Sequence, residues 1–229
     1  MKARRISIVI PVFEEACTIN HGLEHLINLP FSGQMEIIVV DAAPSPATIG
    51  AIRRTDVTKI VAPRGRGPQM NRGAATAAGD ILLFLHADTR LPRDGLESAA
   101  AALRSPRIVG GAFRLEIASP NPLFRVIEGT ANLRTRLTRI PYGDQALFFD
   151  RRFFQRIGGF SDIRIMEDVE LMQRVKKGGH RIRILPSRVR TSARRWQREG
   201  IVRCTLRNWL LVTRFVLGSP PDRLARHYR

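Results

Sequence analysis

Four short strand-like runs, at residues 6–10, 36–40, 58–62 and 81–85, are each separated by enough chain for one helix. This spacing constrains the fold more than any other feature. The runs are rich in Ile and Val and lack a helical period, as expected of strands buried on both faces. The intervening segments 16–29, a short stretch to about Arg54, 69–78 and 92–103 carry helical patterns. Pro30 and Gly79-Asp80 close two of them, and turns are expected at Ala42-Ala-Pro-Ser-Pro46 and in the Gly/Arg/Pro loop 63–68. Alternation at this pitch predicts an α/β fold, with βαβ units, a parallel sheet and helices on both faces.

Beyond residue 105 the pattern is less regular. Strands are expected at 109–117, 146–149 and 181–185, the last stopped by Pro186, and helices at 124–137, 151–157 and 166–177. Gly178-Gly179 punctuates the end of the last helix. The 229 residues, 44% hydrophobic and 25% charged, suit a single globular domain with an appendage and exclude wholesale disorder or a disulfide scaffold. Cys17 and Cys204 lack metal-type neighbours and read as buried free thiols. No run approaches the ~18 apolar residues of a membrane span. The N-terminus faintly resembles a signal peptide, but its apolar run ends at Pro11 and meets Glu14 and Glu15, so a strand and a cytoplasmic location are expected.

The net charge is +18, and all but four of the 38 basic residues are arginine. Residues 181–229 hold 13 arginines against two acids. Such a concentration suits an anionic partner (nucleic acid, anionic lipid or a phosphorylated substrate) or simply a solvated face. No nucleic-acid motif accompanies the aromatics Trp196, Trp209, Phe215 and Tyr228, so nucleic acid is not the expected partner. From about 197 to 217 a helix places Val202, Leu206, Trp209, Leu210 and Leu217 on one face. It either caps the core, the favoured expectation, or lies on a membrane surface.

Ligands of open parallel sheets bind beyond the carboxyl ends of the strands. There the sequence offers Glu14 and Glu15, then Asp41, then Arg64 and Arg66, then His86 and Asp88, while Glu167 and Asp168 open a later helix. Each has an ordinary structural explanation: helix-dipole acids, turn caps or solvated arginines. Their joint placement at strand ends favours a site. No Gly-x-Gly-x-x-Gly, Walker loop, Cys/His cluster or Gly-x-Ser-x-Gly elbow is present. An anionic nucleotide with a divalent metal remains, with Asp88 as a hard oxygen ligand for Mg²⁺ or Mn²⁺.

Taken together, Ile8-Val-Ile-Pro-Val-Phe-Glu-Glu15, Ile37-Ile-Val-Val-Asp41, Gly65-Arg66, Gln69-Met-Asn71, Leu85-His-Ala-Asp88, Gly143-Asp144-Gln145 and Glu167-Asp168 resemble family 2 glycosyltransferases, in particular the small soluble bacterial members, over about residues 5–196. The resemblance implies a GT-A fold, with a mostly parallel sheet flanked by helices. With no repeat, low-complexity tract or linker in the chain, 1–195 is expected to be one domain, with a nucleotide-binding half to about 105 and an acceptor half from about 106, and 196–229 a basic helical tail packed on it or on a membrane surface. The resemblance also implies a nucleotide-sugar donor, Mg²⁺ or Mn²⁺, and inversion at the anomeric carbon. By the same resemblance Pro11, Val12 and Glu15 line the nucleoside pocket, Asp41 binds base or ribose, and Arg66 and Asn71 lie near the diphosphate. Asp88 matches the last acid of the Asp-x-Asp metal motif, Asp168 the catalytic base and Glu167 its companion. Gly143, Asp144 and Gln145 match a segment near donor sugar and acceptor.

Three departures stand out. His86 replaces the first acid of Asp-x-Asp, Glu14 stands where Asn is usual, and Gln-x-x-Arg-Trp survives only as Arg195-Trp196 with Ser192. The last argues against processive synthesis. Two rivals remain at this stage. A sugar-phosphate nucleotidyltransferase should carry a basic Gly-rich loop after the first strand, where this chain is acidic. A non-catalytic module docking through its basic tail leaves the strand-end acids unexplained. The acceptor is open, with a lipid-linked molecule at an anionic inner membrane face suggested by the tail.

Overall fold

A computed structural model describes residues 5–43 and 47–227. The turn expected at Pro44-Ser-Pro46, the extreme N-terminus and Tyr228 lie outside the described residues. Strands β1 (Arg5–Val12), β2 (Gln34–Asp41), β3 (Val57–Val61) and β4 (Ile81–Phe84) pair in parallel in the order β3-β2-β1-β4. They are linked by α1 (Ile19–Ile27), α2 (Ala47–Ala51) and α3 (Arg66–Thr76), and β4 is followed by β5 (Thr89–Arg90) and α4 (Gly95–Ala102). Ile8 and Ile10 of β1 pack with Leu23 of α1 and Leu96 of α4. Val9 packs on the opposite side with Met70 of α3 and Leu171. Both faces of β1 are therefore buried, which is why its sequence shows no alternation.

The second half adds β6 (Ile108–Ala118), α5 (Leu123–Thr138), a 3-10 turn at Gly143–Gln145, β7 (Phe148–Asp150), α6 (Arg151–Arg156), α7 (Glu167–Lys177) and β8 (Arg181–Ser192). It extends the sheet in the order β4-β7-β6-β8-β5. Here the direction is mixed: β7 runs antiparallel to β4 and β6, β8 parallel to β6, and β5 antiparallel to β8.

Cys204 is buried as expected, but Cys17 is exposed, because it lies in the turn before α1 and not on a core-facing element. Two elements also differ from the sequence expectation. β8 does not stop at Pro186. Ala112 pairs with Ile184 and Arg114 with Arg188, so the residues around Pro186 bulge and the missing amide breaks no ladder bond. The tail helix is interrupted at Gly200, whose φ of 87° lies in the left-handed region, giving α8 (Arg194–Glu199) and α9 (Ile201–Val216), followed by α10 (Pro221–Ala225). α9 turns Cys204 and Leu211 inward. Leu211 and Leu224 pack with Ile165, beside Met166 and Phe215. The face carrying Leu206, Trp209 and Leu210 is exposed instead of capping the core. No helix among the described residues is long and apolar enough to cross a membrane.

Candidate active site

The extension of β8 past Pro186 shapes the first part of the site. The turn after β4 closes with the amide of Thr89 donating to the carbonyl of His86 at 3.0 Å. The amide of Ser192, the last residue of β8, donates to the carbonyl of Asp88 at 3.1 Å, and the hydroxyls of Thr89 and Thr191 are 3.1 Å apart. The amide of Arg194 then donates to Oγ of Ser192 at 3.1 Å. Its guanidinium lies 3.1 Å from Oε1 of Glu15 and 3.9 Å from Oδ2 of Asp88. The ends of β1, β4 and β8 thus meet through one arginine.

The second part is the start of α7. Oδ2 of Asp168 accepts from the amide of Gly143 at 2.5 Å, and Oδ1 from the amide of Val169 at 2.7 Å. A Cβ on Gly143 would stand 3.1 Å from Nε2 of His86 and 3.3 Å from Oδ2 of Asp168. The imidazole and the carboxylate therefore border the same glycine. Glu167 is buried against the first turn of α3, where Gly67 leaves no room for a side chain: a Cβ there would lie 2.7 Å from the carbonyl oxygen of Ser161 and 3.6 Å from Cβ of Glu167.

Arg66, the first residue of α3, unites the two parts electrostatically. Its positive field acts on His86, Asp88, Asp144 and Glu167 together. Burial, reinforced by Arg66, pushes the His86 imidazole down to about 3, so it is neutral at physiological pH. Burial raises Asp88, opposed chiefly by Arg194. Burial raises Asp144 to about 6 against the pull of Arg134, and raises Glu167 to about 7 with help from the neighbouring Asp168 charge. Raised carboxyls crowded into one cleft mark a functional site.

Not every expected residue presents its side chain here. Asp41 ends β2 beside Val12 of β1, but its fully buried carboxylate accepts from the amides of Ala43 at 2.9 Å and Ile49 at 3.3 Å. Its observed role is to cap a turn. Asn71 uses both ends of its amide on the backbone of Phe160, at 2.8 and 2.9 Å. Buried Gln145 donates to the carbonyl of Phe113 at 2.9 Å and accepts from the Thr135 hydroxyl at 2.8 Å. In this structure the Asn71 and Gln145 side chains both hold neighbouring backbone, which is a positioning role, and one N–H of each amide has no protein partner among the described residues. Pro11 and Val12 sit at the end of β1 as expected, and Gln69 ties that end to β2 by donating to the carbonyls of Val12 and Val40.

The site contains residues not singled out from sequence. Arg194 is one arginine among 34, and its neighbours Arg195-Trp196 were the only local signal. Arg134 stacks 3.2 Å over the Tyr142 ring beside Asp144, a relation that no spacing reveals. As metal donors the cleft offers the Asp88 carboxylate and the neutral His86 ring, while no group of three potential protein ligands gathers among the described residues. That donor set suits a hard divalent ion taking most of its ligands from substrate phosphates. A depression of about 580 Å³ between α1 and Arg90 and Arg93 contains none of these residues.

Comparison with known proteins adds an independent line. The model of "Glycosyl transferase family 2" matches residues 7–162. The probable glycosyltransferase YdaM of Bacillus subtilis is 25% identical over 224 residues, covering 85% of this chain and 51% of that protein. An uncharacterized glycosyltransferase of Haemophilus influenzae is 31% identical over 99 residues, covering 40% of this chain and 39% of that protein. The chain therefore spans about half or less of the curated relatives it matches. Among solved structures, the mannosyltransferase PcManGT of Pyrobaculum calidifontis, in complex with GDP-Man and Mn²⁺, superposes with a TM-score of 0.67 at 20% identity, over 100% of this chain and 70% of that one. S. aureus TarS 1–349 in complex with UDP-GlcNAc gives 0.62 at 17% identity, over 84% of this chain and 58% of that one. Both likenesses speak to the fold.

Proposed function

This chain belongs to glycosyl transferase family 2, and from that premise we propose that it moves a sugar from a nucleoside-diphosphate sugar to an acceptor hydroxyl with inversion at the anomeric carbon. The observation that supports this most is the shared rim. Arg66 acts on His86, Asp88, Asp144 and Glu167 at once, and Asp168 borders the same glycine as His86.

The chemistry follows from charge. Cleaving the sugar–phosphate bond leaves negative charge on the departing diphosphate. Arg66, at the N-terminus of an eleven-residue helix, and Arg194 offset that charge where it develops. A divalent ion held by Asp88 and His86 would supply further positive charge there. Asp168, oriented by the amides of Gly143 and Val169, takes the proton from the acceptor hydroxyl as it attacks opposite the diphosphate, which inverts the centre. Glu167 and Asp144 balance the arginines around it. Pro11, Val12 and Glu15 border the nucleoside, and Asp41 shapes that pocket through the turn it holds.

We assign donor binding to the part before about residue 105 and acceptor binding to about 106–195. The donors of the solved neighbours, GDP-Man and UDP-GlcNAc, define the class to test. A thermal-shift screen of nucleoside diphosphates and sugar nucleotides, with Mg²⁺ or Mn²⁺, tests the reading, because a ligand of the native state raises the melting temperature. A selective rise with one nucleoside diphosphate is expected. No rise with any of them overturns the proposal.

A further inference from the structure

Apart from Val61, every exposed large hydrophobic side chain among the described residues sits on α5 or on α9 and its C-cap. On α5 these are Leu123, Val126, Leu133 and Leu137, spaced so that they share one stripe. On α9 they are Val202, Leu206, Trp209, Leu210 and Val216, continued by Leu217, which is 80% exposed. The two stripes border one junction. Phe124, Ile127 and Ala131 of α5 pack in one cluster with Trp196 and Ile201, and the rings of Phe124 and Trp196 meet edge-on at 5.8 Å. Leu123, Val126 and Val202 are the immediate chain neighbours of these junction residues.

Apolar area on this scale in two separate helices marks a docking surface rather than scattered exposure. The charge beside it selects the occupant. Exposed Arg203 and Arg214 run along one edge of the α9 stripe, and exposed Arg136 flanks the stripe of α5, while Arg207 and Arg125 are held in ion pairs with Glu199 and Glu128. A second copy of a chain of net charge +18 would bring like charges together across such a face. RNA would make little use of exposed leucines. An anionic bilayer satisfies both components, with leucines and Trp209 in the headgroup boundary and arginines on the phosphates.

We propose that α5 and α9 together form a face that docks this protein on an anionic membrane surface. The docking itself does not depend on the transferase reading. Combined with that reading, it names the acceptor class. The inner side of α9 packs, through Leu211 and Phe215, on Ile165 and Met166, immediately before Glu167 and Asp168. One helix diameter, roughly 10 Å, therefore separates the bilayer face from the loop carrying the base. An acceptor hydroxyl on a lipid headgroup lies within that reach.

The test is co-sedimentation of the full chain with vesicles of phosphatidylglycerol and phosphatidylcholine in equal parts, and with phosphatidylcholine alone. Wild type is expected to pellet with the anionic vesicles and not with the neutral ones. Leu206→Ser/Trp209→Ser, and separately Leu133→Ser/Leu137→Ser, should each weaken binding at least tenfold. These positions are exposed, so melting temperature and any nucleoside-diphosphate shift should be unchanged, which separates this proposal from the transferase reading. Any of these results overturns it: wild type that stays in solution, double variants that pellet like wild type, or a dimer by light scattering that the same variants dissociate without any vesicle binding. Salt-sensitive binding to RNA in the absence of vesicle binding overturns it equally.

Discussion

Arg194 and Glu15, 179 residues apart in the chain, meet at 3.1 Å, and the same guanidinium lies 3.9 Å from Asp88. A strand that runs through a proline delivers this contact, and it sets a cation between two acids at the place proposed for the diphosphate. The Arg194 side chain is 53% exposed, so Arg194→Ala should change stability by only about 1 kcal/mol. It should weaken nucleoside-diphosphate binding by roughly tenfold, because two carboxylates then face the diphosphate without their counter-charge. Titration calorimetry checks this, and unchanged affinity removes Arg194 from the site.

Asp144 and Glu167, raised by burial to about 6 and about 7, make stability depend on pH. In the unfolded chain both titrate near 4, so between that pH and neutrality the native state binds more protons than the unfolded one. Stability is then highest below the unfolded values and falls as pH rises through the folded ones. Without added metal, the melting temperature should decline between about pH 5 and pH 8 from this source. Asp144→Asn and Glu167→Gln should each flatten that decline and stabilise the protein at the upper end. A parallel decline in wild type and both variants contradicts the assignment.

Glu14 has a φ of 57°, a left-handed conformation that an exposed glutamate adopts at a cost and that asparagine tolerates. Glu14→Asn should therefore stabilise the fold by about 1 kcal/mol. That corresponds to a rise in melting temperature of about 2–4 °C for a chain of this size. A lower melting temperature would show that the glutamate side chain compensates for its backbone.

Leu211 is 2% exposed and packs on the loop before Glu167. Leu211→Ala should cost about 2–5 kcal/mol. Because Met166 is itself held at a φ of 67° in that loop, turnover should fall further than donor affinity does. Equal losses in both would mean that α9 supports the domain without positioning the base.

The parallel half of the sheet was legible because β1, β2 and β4, largely buried, leave short apolar runs set at helix-length intervals. The positions of the strand-end acids were legible for the same reason: once β1, β2 and β4 are placed, so are Glu15, Asp41 and Asp88. What stayed hidden depends on where single side chains turn. An aspartate that binds a ligand and one that caps a turn read alike, and Asp41 holds Ala43 and Ile49. Asn71 and Gln145 are polar residues in motif-like segments that serve the backbone. Pro186 suggested a strand end because the bulge that absorbs it is a property of the pairing with β6, not of β8 alone. The tail helix was legible as amphipathic, but the sequence did not reveal that its inner contact is the narrow line of Cys204 and Leu211, leaving the broad apolar face outside.

The account stands or falls on Asp168 as the group that accepts the acceptor's proton. Asp168→Asn is nearly isosteric and removes the base, keeping one of the two bonds that the carboxylate accepts from the Gly143 and Val169 amides. Once the donor is found, its affinity and the steady-state release of nucleoside diphosphate should be measured on this variant beside wild type. The account predicts unchanged donor affinity with release slowed by about 10²-fold or more. Release at the wild-type rate, with the donor still bound, would contradict it.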